Sequence, residues 1–103
     1  MKLINEGSTG YLTISFKDKA GVAAAPATIT YSLHCLSTGV VLRNNVALAT
    51  SASVEITLST IDNAIQTASN RRETKRVTIK AGYGANDAIN TQFDYEVANL
   101  SQV

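Results

Sequence analysis

Apolar and polar residues alternate in several short segments of this chain, and this alternation constrains the fold more than any other feature. In one segment, Leu12, Ile14 and Phe16 are each separated by a single polar residue. A repeat of two places every second side chain on the same side of a β-strand, whereas an apolar helix face repeats every three to four residues. The segments with this repeat are 11–17, 28–36, 53–58, 76–81 and 91–97. The sequence therefore predicts an all-β protein whose strands each bury one face.

Composition supports this fold and narrows the range of functions. The 103 residues include eight Val, eight Ile and twelve Thr, β-branched residues that favour strands. This length predicts a single domain over 1–103. Nine Lys and Arg against eight Asp and Glu leave a net charge of +1, which argues against a nucleic-acid partner. No apolar run is long enough to span a membrane or to act as a signal peptide, so we expect neither.

The strongest pairing signal lies in the last third of the chain, where 76–81 and 91–97 both alternate. An antiparallel hairpin centred on Asn86 brings apolar residues together on one face and charged and polar residues together on the other. The predicted pairs are Val77–Tyr95 and Ile79–Phe93 on the apolar face, with Arg76–Glu96, Thr78–Asp94 and Lys80–Gln92 on the polar face.

Two segments depart from simple alternation. In 59–66, Ile61 and Ile65 lie four residues apart, which predicts one short helical crossover capped by Ser59 or Thr60. Residues 40–42 predict a short strand that ends at the following asparagine pair, 44–45. With turns between the strands, the pattern favours an antiparallel β-sandwich of six to eight strands, and an up-and-down barrel is the alternative.

No group of residues predicts catalysis or a cofactor. His34 and Cys35 are adjacent in a predicted strand and so point to opposite faces, and Cys35 is expected to be a buried, inert thiol. Asp94 and Glu96 lie about 7 Å apart along one strand face, a separation that glycosidases use. The predicted basic neighbours favour ion pairs there instead. We therefore expect no enzyme activity, no metal site and no cofactor.

Four residues are candidates for contact with a protein partner: Arg71, Arg72, Lys75 and Tyr83. The three basic residues belong to the only charge-dense segment, 71–76. This segment is either a solvated loop entering a strand or a patch that pairs with an acidic neighbouring subunit. Tyr83 lies in the predicted hairpin loop, either folded over the sandwich edge or exposed as a contact.

Five segments spread over most of the chain carry a resemblance to a known protein family. They are 16–21, 26–31, 58–65, 73–79 and 95–100. In their order and spacing, the chain resembles the small immunoglobulin-like or fibronectin-type-III-like structural proteins of tailed bacteriophages. The resemblance implies an immunoglobulin-like β-sandwich located in the virion, made in the cytoplasm of the bacterial host.

The resemblance also implies a role: a non-enzymatic capsid decoration or cement protein, or a neck component between head and tail. Its expected partners are capsid, neck or tail subunits and further copies of itself, as a homo-oligomer within the assembly, with neither nucleic acid nor membrane among them. The alternative function is a module that binds carbohydrate or a host surface, in which an exposed tyrosine would stack on a sugar.

Overall fold

The computed structural model describes residues 2–84 and 86–102, which form seven strands and one short 3-10 helix. The strands are β1 (Lys2–Asn5), β2 (Gly10–Ser15), β3 (Thr28–Cys35), β4 (Val41–Leu48), β5 (Ser53–Leu58), β6 (Arg72–Gly84) and β7 (Asp87–Ala98), and the 3-10 helix is Leu100–Gln102.

The strands form two sheets that enclose one core. The larger sheet has the order β1-β7-β6-β3-β4, and the smaller one pairs β2 with β5. All neighbouring strands are antiparallel except β1, which runs parallel to β7. The prediction of an all-β fold is therefore confirmed, and the two sheets, with seven strands among the described residues where six to eight were expected, are consistent with a sandwich. The larger sheet is mixed, because β1 adds to it in parallel, whereas only antiparallel pairing was predicted.

The core lies between the sheets and is built by the alternating residues. The central strands β3 and β6 contribute fully buried Leu33, Val77 and Ile79, and Ile56 and Leu58 of β5 face them. Cys35 is also fully buried and forms no disulfide, as expected. Since large aliphatic side chains stabilise by about 1.5–3 kcal/mol each when buried, packing holds this domain together.

The β6–β7 hairpin is present, but its register differs from the prediction by two residues. Val77 pairs with Phe93 and Arg76 pairs with Asp94, whereas Tyr95 lies opposite Lys75. A slip of two leaves every side chain on its predicted face, so the alternation cannot distinguish the two registers. The observed pairing distinguishes them, because it continues as far as Gly84 opposite Asp87.

The asparagine pair 44–45 lies inside β4 rather than at its end. Asn45 adopts a left-handed conformation with φ 49°, and its N–H donates to Ser32 Oγ at 3.0 Å. The β3–β4 register shifts between Tyr31 and Leu33 at this point. Asparagine tolerates positive φ better than most residues, so it permits a bulge here and the strand runs on to Leu48.

The segment 59–66 contains turns and bends where a helix was predicted. Ser59 does cap a single turn, since its carbonyl accepts the Asn63 N–H at 3.1 Å and its hydroxyl accepts the Asp62 N–H at 3.3 Å. Ile65 packs against the core, but Ile61 is 75% exposed. The two isoleucines therefore do not share a buried side.

Strand directions give the molecule two distinct ends. The crossover end, as we call it, carries the connections 6–9, 36–40 and 59–71 together with the C-terminal residues 99–102. The hairpin end carries the connections 16–27 and 49–52 and the turn between β6 and β7. The molecule is elongated, with extents of 47 × 20 × 19 Å, so partners at the two ends would lie well apart.

Candidate interaction surfaces

The charge-dense segment 71–76 forms the start of β6, so its side chains alternate between the two faces of the sheet. Arg71 and Arg72 are exposed, as expected of contact residues. Glu73 and Lys75 face inward and are fully buried. The prediction that Lys75 belongs to a surface patch therefore needs correction, because this residue shares its face with core residue Val77.

Lys75 is held by backbone carbonyls of the 59–71 crossover. Its Nζ donates to the carbonyl oxygens of Asp62 and Ala64, both at 2.7 Å. Burial lowers the pKa of the Lys75 ammonium from its usual range, and nearby acidic groups only partly oppose this. The side chain thus fastens the first half of the crossover to β6.

Glu73 fastens the second half of the crossover. Its carboxylate accepts the N–H of Gln66 at 2.6 Å, the N–H of Thr67 at 2.9 Å and Asn70 Nδ2 at 2.9 Å. Burial alone would raise the pKa of this carboxyl, but the three hydrogen bonds outweigh it and the pKa is lowered. A carboxylate is suited to this position because it is an acceptor only and all three neighbours are donors.

Tyr95 and Asn63 connect the crossover to other parts of the crossover end. The buried Tyr95 hydroxyl donates to Asn63 Oδ1 at 2.9 Å, and Asn63 Nδ2 donates to the carbonyls of Ser8 and Leu58 at 2.7 and 3.2 Å. Burial raises the pKa of the Tyr95 phenol well above its usual value. The loop between β1 and β2 is thereby joined to the crossover.

Asp62 and Asn99 complete this buried polar network. Asp62 accepts Arg43 Nε at 2.8 Å and the N–H and hydroxyl of Ser59 at 2.9 and 3.0 Å. Asn99 Nδ2 donates to the carbonyls of Ala68 and Asn70 at 3.0 and 2.9 Å. Among the described residues, no buried side-chain nitrogen or oxygen lacks a partner. A fully satisfied network of this kind favours one conformation, so the crossover end presents a preorganised surface.

The surface of the crossover end carries several exposed apolar side chains. Leu36, Val40 and Val41 are exposed around the β3–β4 turn, with Val41 at 53%. Ile61 projects from the crossover, and Leu100 is exposed beside the C-terminal end of β7. The exposed Arg71 and Arg72 belong to the same end. The N–H of Leu36 donates to the Thr74 carbonyl and that of Thr74 to Ser37 Oγ, so the β3–β4 turn is also fixed to β6.

The outer face of β6 and β7 carries ion pairs. Arg76 binds both oxygens of Asp94, with Nε–Oδ1 at 2.8 Å and Nη2–Oδ2 at 2.9 Å. Arg72 Nη1 lies 4.0 Å from Glu96 Oε2. The hydrogen bond from Arg76 lowers the pKa of the Asp94 carboxyl and raises that of the guanidinium. The predicted Arg76–Glu96 pair is replaced because the hairpin register has moved by two.

Tyr83 lies at the hairpin end, where it is half-buried. Its hydroxyl donates to the Ala24 carbonyl at 3.0 Å, so the ring supports the loop 16–27 and is not free on the surface. A groove of about 440 Å³ opens beside it. The groove is lined by Lys17, Asp18, Lys19, Tyr83 and Ile89.

Further observations concern metals and membranes. His34 is half-buried and lies on the opposite face of β3 from Cys35, as predicted. Within residues 2–84 and 86–102, no three His, Cys, Asp or Glu side chains come together in a way that could hold a metal ion. The same ranges contain no helix long and apolar enough to cross a membrane.

The buried role of Glu73 and Lys75 was missed by reading the segment 71–76 as a block of charge. The signal was present, because counting back in steps of two from Val77 places both residues on the apolar face. The groove could not be found in the same way, since it depends on where the loop 16–27 folds.

Comparisons with protein-family models, with curated proteins and with solved structures gave no significant match.

Proposed function

We propose that this protein is a non-enzymatic structural protein of a tailed-phage particle, a capsid decoration or cement protein or a neck component between head and tail. It acts by protein–protein contact through the crossover end. The observation that carries this proposal is the set of exposed apolar side chains at the same end of the molecule as Arg71 and Arg72, on a preorganised surface. The segments that resemble phage structural proteins support the particle as the setting.

The chemistry of the crossover end suits a protein interface. Protein interfaces are enriched in arginine and large apolar side chains, and exposed apolar patches mark interaction sites on soluble domains. Ile61 is 75% exposed on a segment held by the buried polar network. Ordering a loop on binding costs free energy, so a loop that is already fixed keeps more of its contact energy.

The strand order supports an immunoglobulin-like type of sandwich. In that fold, strands C, F and G form one sheet with F in the centre, and strands B and E pair in the other. Here β6 lies between β3 and β7, and β2 pairs with β5. Known folds host many functions, so this likeness supports the architecture and not the role.

The proposal includes partners and location. The protein contacts capsid, neck or tail subunits and further copies of itself in the virion, and needs no cofactor, nucleic acid or membrane. Small individual interfaces are sufficient in such an assembly, because contacts to several neighbours raise the overall avidity.

Mass spectrometry of purified particles tests the proposal by measuring the copy number of this protein relative to the major capsid protein. We expect a fixed ratio for the wild type and a loss of incorporation for a triple variant, Ile61→Asp, Arg71→Glu and Arg72→Glu. Lys80→Glu, which changes an exposed residue towards the other end, is the matched control and should incorporate normally. A protein that stays monomeric and never co-purifies with particles would refute the proposal.

Binding of carbohydrate or a host surface is the second candidate, and the exposure of Tyr11 favours it. This ring on β2 is 58% exposed, and aromatic rings of this kind stack on sugar faces. A glycan array with wild-type protein and the Tyr11→Ala variant tests this function. A hit that the variant abolishes supports it, and an array without a hit excludes it.

A further inference from the structure

The groove at the hairpin end has the composition of a binding site for an acidic segment of protein. Resting on the contact function proposed above, we infer that it binds an extended partner segment in which carboxylate side chains alternate with an apolar one. The partner is a different protein, and the groove gives the molecule a second contact point opposite the crossover end.

The floor of the groove is a continuation of the apolar inner face of the large sheet. Ile89 pairs with Ala81, which belongs to the core, and Tyr83 lies two residues further along the same face of β6. Ile89 is nevertheless 39% exposed. The apolar face therefore extends beyond the region that the described residues bury, and an apolar side chain of a partner would cover it.

The wall of the groove is a preorganised loop. Asp18 Oδ1 accepts the N–H groups of Ala20 and Val22 at 2.9 and 3.0 Å, and the Asp18 N–H donates to the Val22 carbonyl at 2.8 Å. The Ala24 carbonyl accepts the Tyr83 hydroxyl. These bonds shape the turn without using the two lysines on either side of Asp18.

The rim of the groove is basic. Lys17 and Lys19 are both exposed, and neither forms an ion pair with any described residue. Among the residues whose side chains the structure describes, Asp18 is the only acidic one in the lining, and its Oδ1 is engaged by loop amides. Two exposed ammonium groups beside an apolar floor are complementary to carboxylates that flank an apolar side chain. The volume of about 440 Å³ is within the range of ligand sites.

A second copy of this chain and a sugar fit the groove less well. Another copy of the chain carries Asp94 and Glu96 on either side of Tyr95, but this segment lies within β7 between β1 and β6 and cannot insert. Its carboxylates already face Arg76 and Arg72. Carbohydrate sites use exposed aromatic faces. The groove has one aromatic residue, and its hydroxyl is already bound to Ala24.

The test uses the full chain and two synthetic peptides. The probe is acetyl-Glu-Leu-Glu-Leu-Glu-amide, and the control replaces each glutamate with glutamine. In titrations followed by ¹⁵N–¹H NMR, we expect saturable shifts at the amides of 17–22 and of Ile89 with the acidic peptide only. Raising the salt concentration should weaken the binding, because both lysines are solvent-exposed.

The double variant Lys17→Glu/Lys19→Glu should bind the acidic peptide at least about tenfold more weakly, and Lys80→Glu should bind it as the wild type does. Far-UV circular dichroism verifies that both variants fold. Shifts that map elsewhere, equal binding of the neutral peptide, absence of binding, or an unchanged affinity of the double variant would each overturn the inference.

Particle incorporation separates this inference from the proposed function. If the double variant enters particles at the wild-type ratio, the groove has no part in assembly and the inference is overturned, while the function stands. If the wild type never enters particles, the proposed function is refuted and the peptide titration still decides what the groove binds.

Discussion

Replacing the buried Glu73 with glutamine should destabilise the protein far more than removing the charge of an exposed carboxylate. The carboxylate accepts three donors, with Gln66 N–H on Oε1 and Thr67 N–H and Asn70 Nδ2 on Oε2. The side chain of Glu73→Gln has the same shape but offers one oxygen and one NH2 group. If the oxygen keeps the two donors on the Oε2 side, the NH2 group faces the Gln66 N–H, and a donor meets a donor.

The magnitude follows from this geometry. An N–H left buried without an acceptor costs about 1–3 kcal/mol, and each hydrogen bond to a charged acceptor contributes about 1.5–3 kcal/mol. Since two of the three bonds survive, we expect a loss of about 2–4 kcal/mol in the free energy of unfolding. With a urea m-value of about 1–2 kcal/mol/M, the unfolding midpoint falls by roughly 1–4 M.

The assay is urea unfolding followed by far-UV circular dichroism, with amide hydrogen exchange at Gln66 and Thr67 as a local readout. Both amides should lose protection, because Glu73 is their acceptor. The matched control is Glu55→Gln on β5, where the carboxylate is exposed. A surface change of this kind alters stability by no more than about 0.5 kcal/mol.

Glu73→Gln should also alter how the free energy of unfolding changes with pH in the acid range. The pKa of Glu73 is lowered in the folded protein, so its contribution is present above the unfolded value and is lost as pH falls through the folded value. Glu73→Gln should therefore flatten the decline of stability below about pH 5. If Glu73→Gln and Glu55→Gln have equal midpoints and equal exchange rates, the carboxylate does not anchor the crossover and the reasoning is refuted.

Three further predictions test other parts of the fold. Gly39 has φ +76°, so Gly39→Ala should lower the unfolding free energy by about 1–2 kcal/mol in urea, whereas Gly84→Ala, at a position with open space and no positive φ, should not. Tyr95→Phe removes the donor to Asn63 Oδ1 and should cost about 1–3 kcal/mol. Because burial raises the folded pKa of Tyr95, the stability of the wild type should also fall as pH rises above about 10. If the stability of Tyr95→Phe falls equally steeply over the same pH range, this prediction is contradicted. Asp94→Asn should lower the free energy of unfolding, measured in urea at pH 7, by less than about 1 kcal/mol. The difference from the wild type should shrink as pH falls through the lowered folded pKa of Asp94. A difference that stays constant down to pH 2 would count against the ion pair.

Sequence reasoning predicted which residues face the core because side-chain direction in a strand depends only on parity along the chain. Val77 and Ile79 are buried on the predicted face of the hairpin. Parity also assigned Cys35 to the core and His34 to the opposite side. The register of the hairpin escaped the same logic, because a slip of two residues preserves parity and only the observed pairing, which continues as far as Gly84 opposite Asp87, excludes it.

Residues typical of turns and helix caps predicted the ends of strands and helices less well. The asparagine pair 44–45 resembles a strand end, but it accommodates a bulge within β4, because β3 offers pairing partners on both sides of it. Ser59 caps one turn, but no helix follows. Backbone groups of the following residues bind the side chains of Glu73 and Lys75 instead of continuing a helix.

The sequence by itself determined an all-β domain whose alternating residues build one core, because these properties arise from neighbours along the chain. Only the tertiary structure decided which groups the charged side chains bind. Alternation places Lys75 on the inner face of β6, but only the fold brings two crossover carbonyls to its ammonium group and so makes its burial possible. The groove beside Tyr83 likewise exists only because a loop distant in sequence folds against the β6–β7 hairpin. Long-range backbone positions of this kind are not encoded in any local pattern of residues.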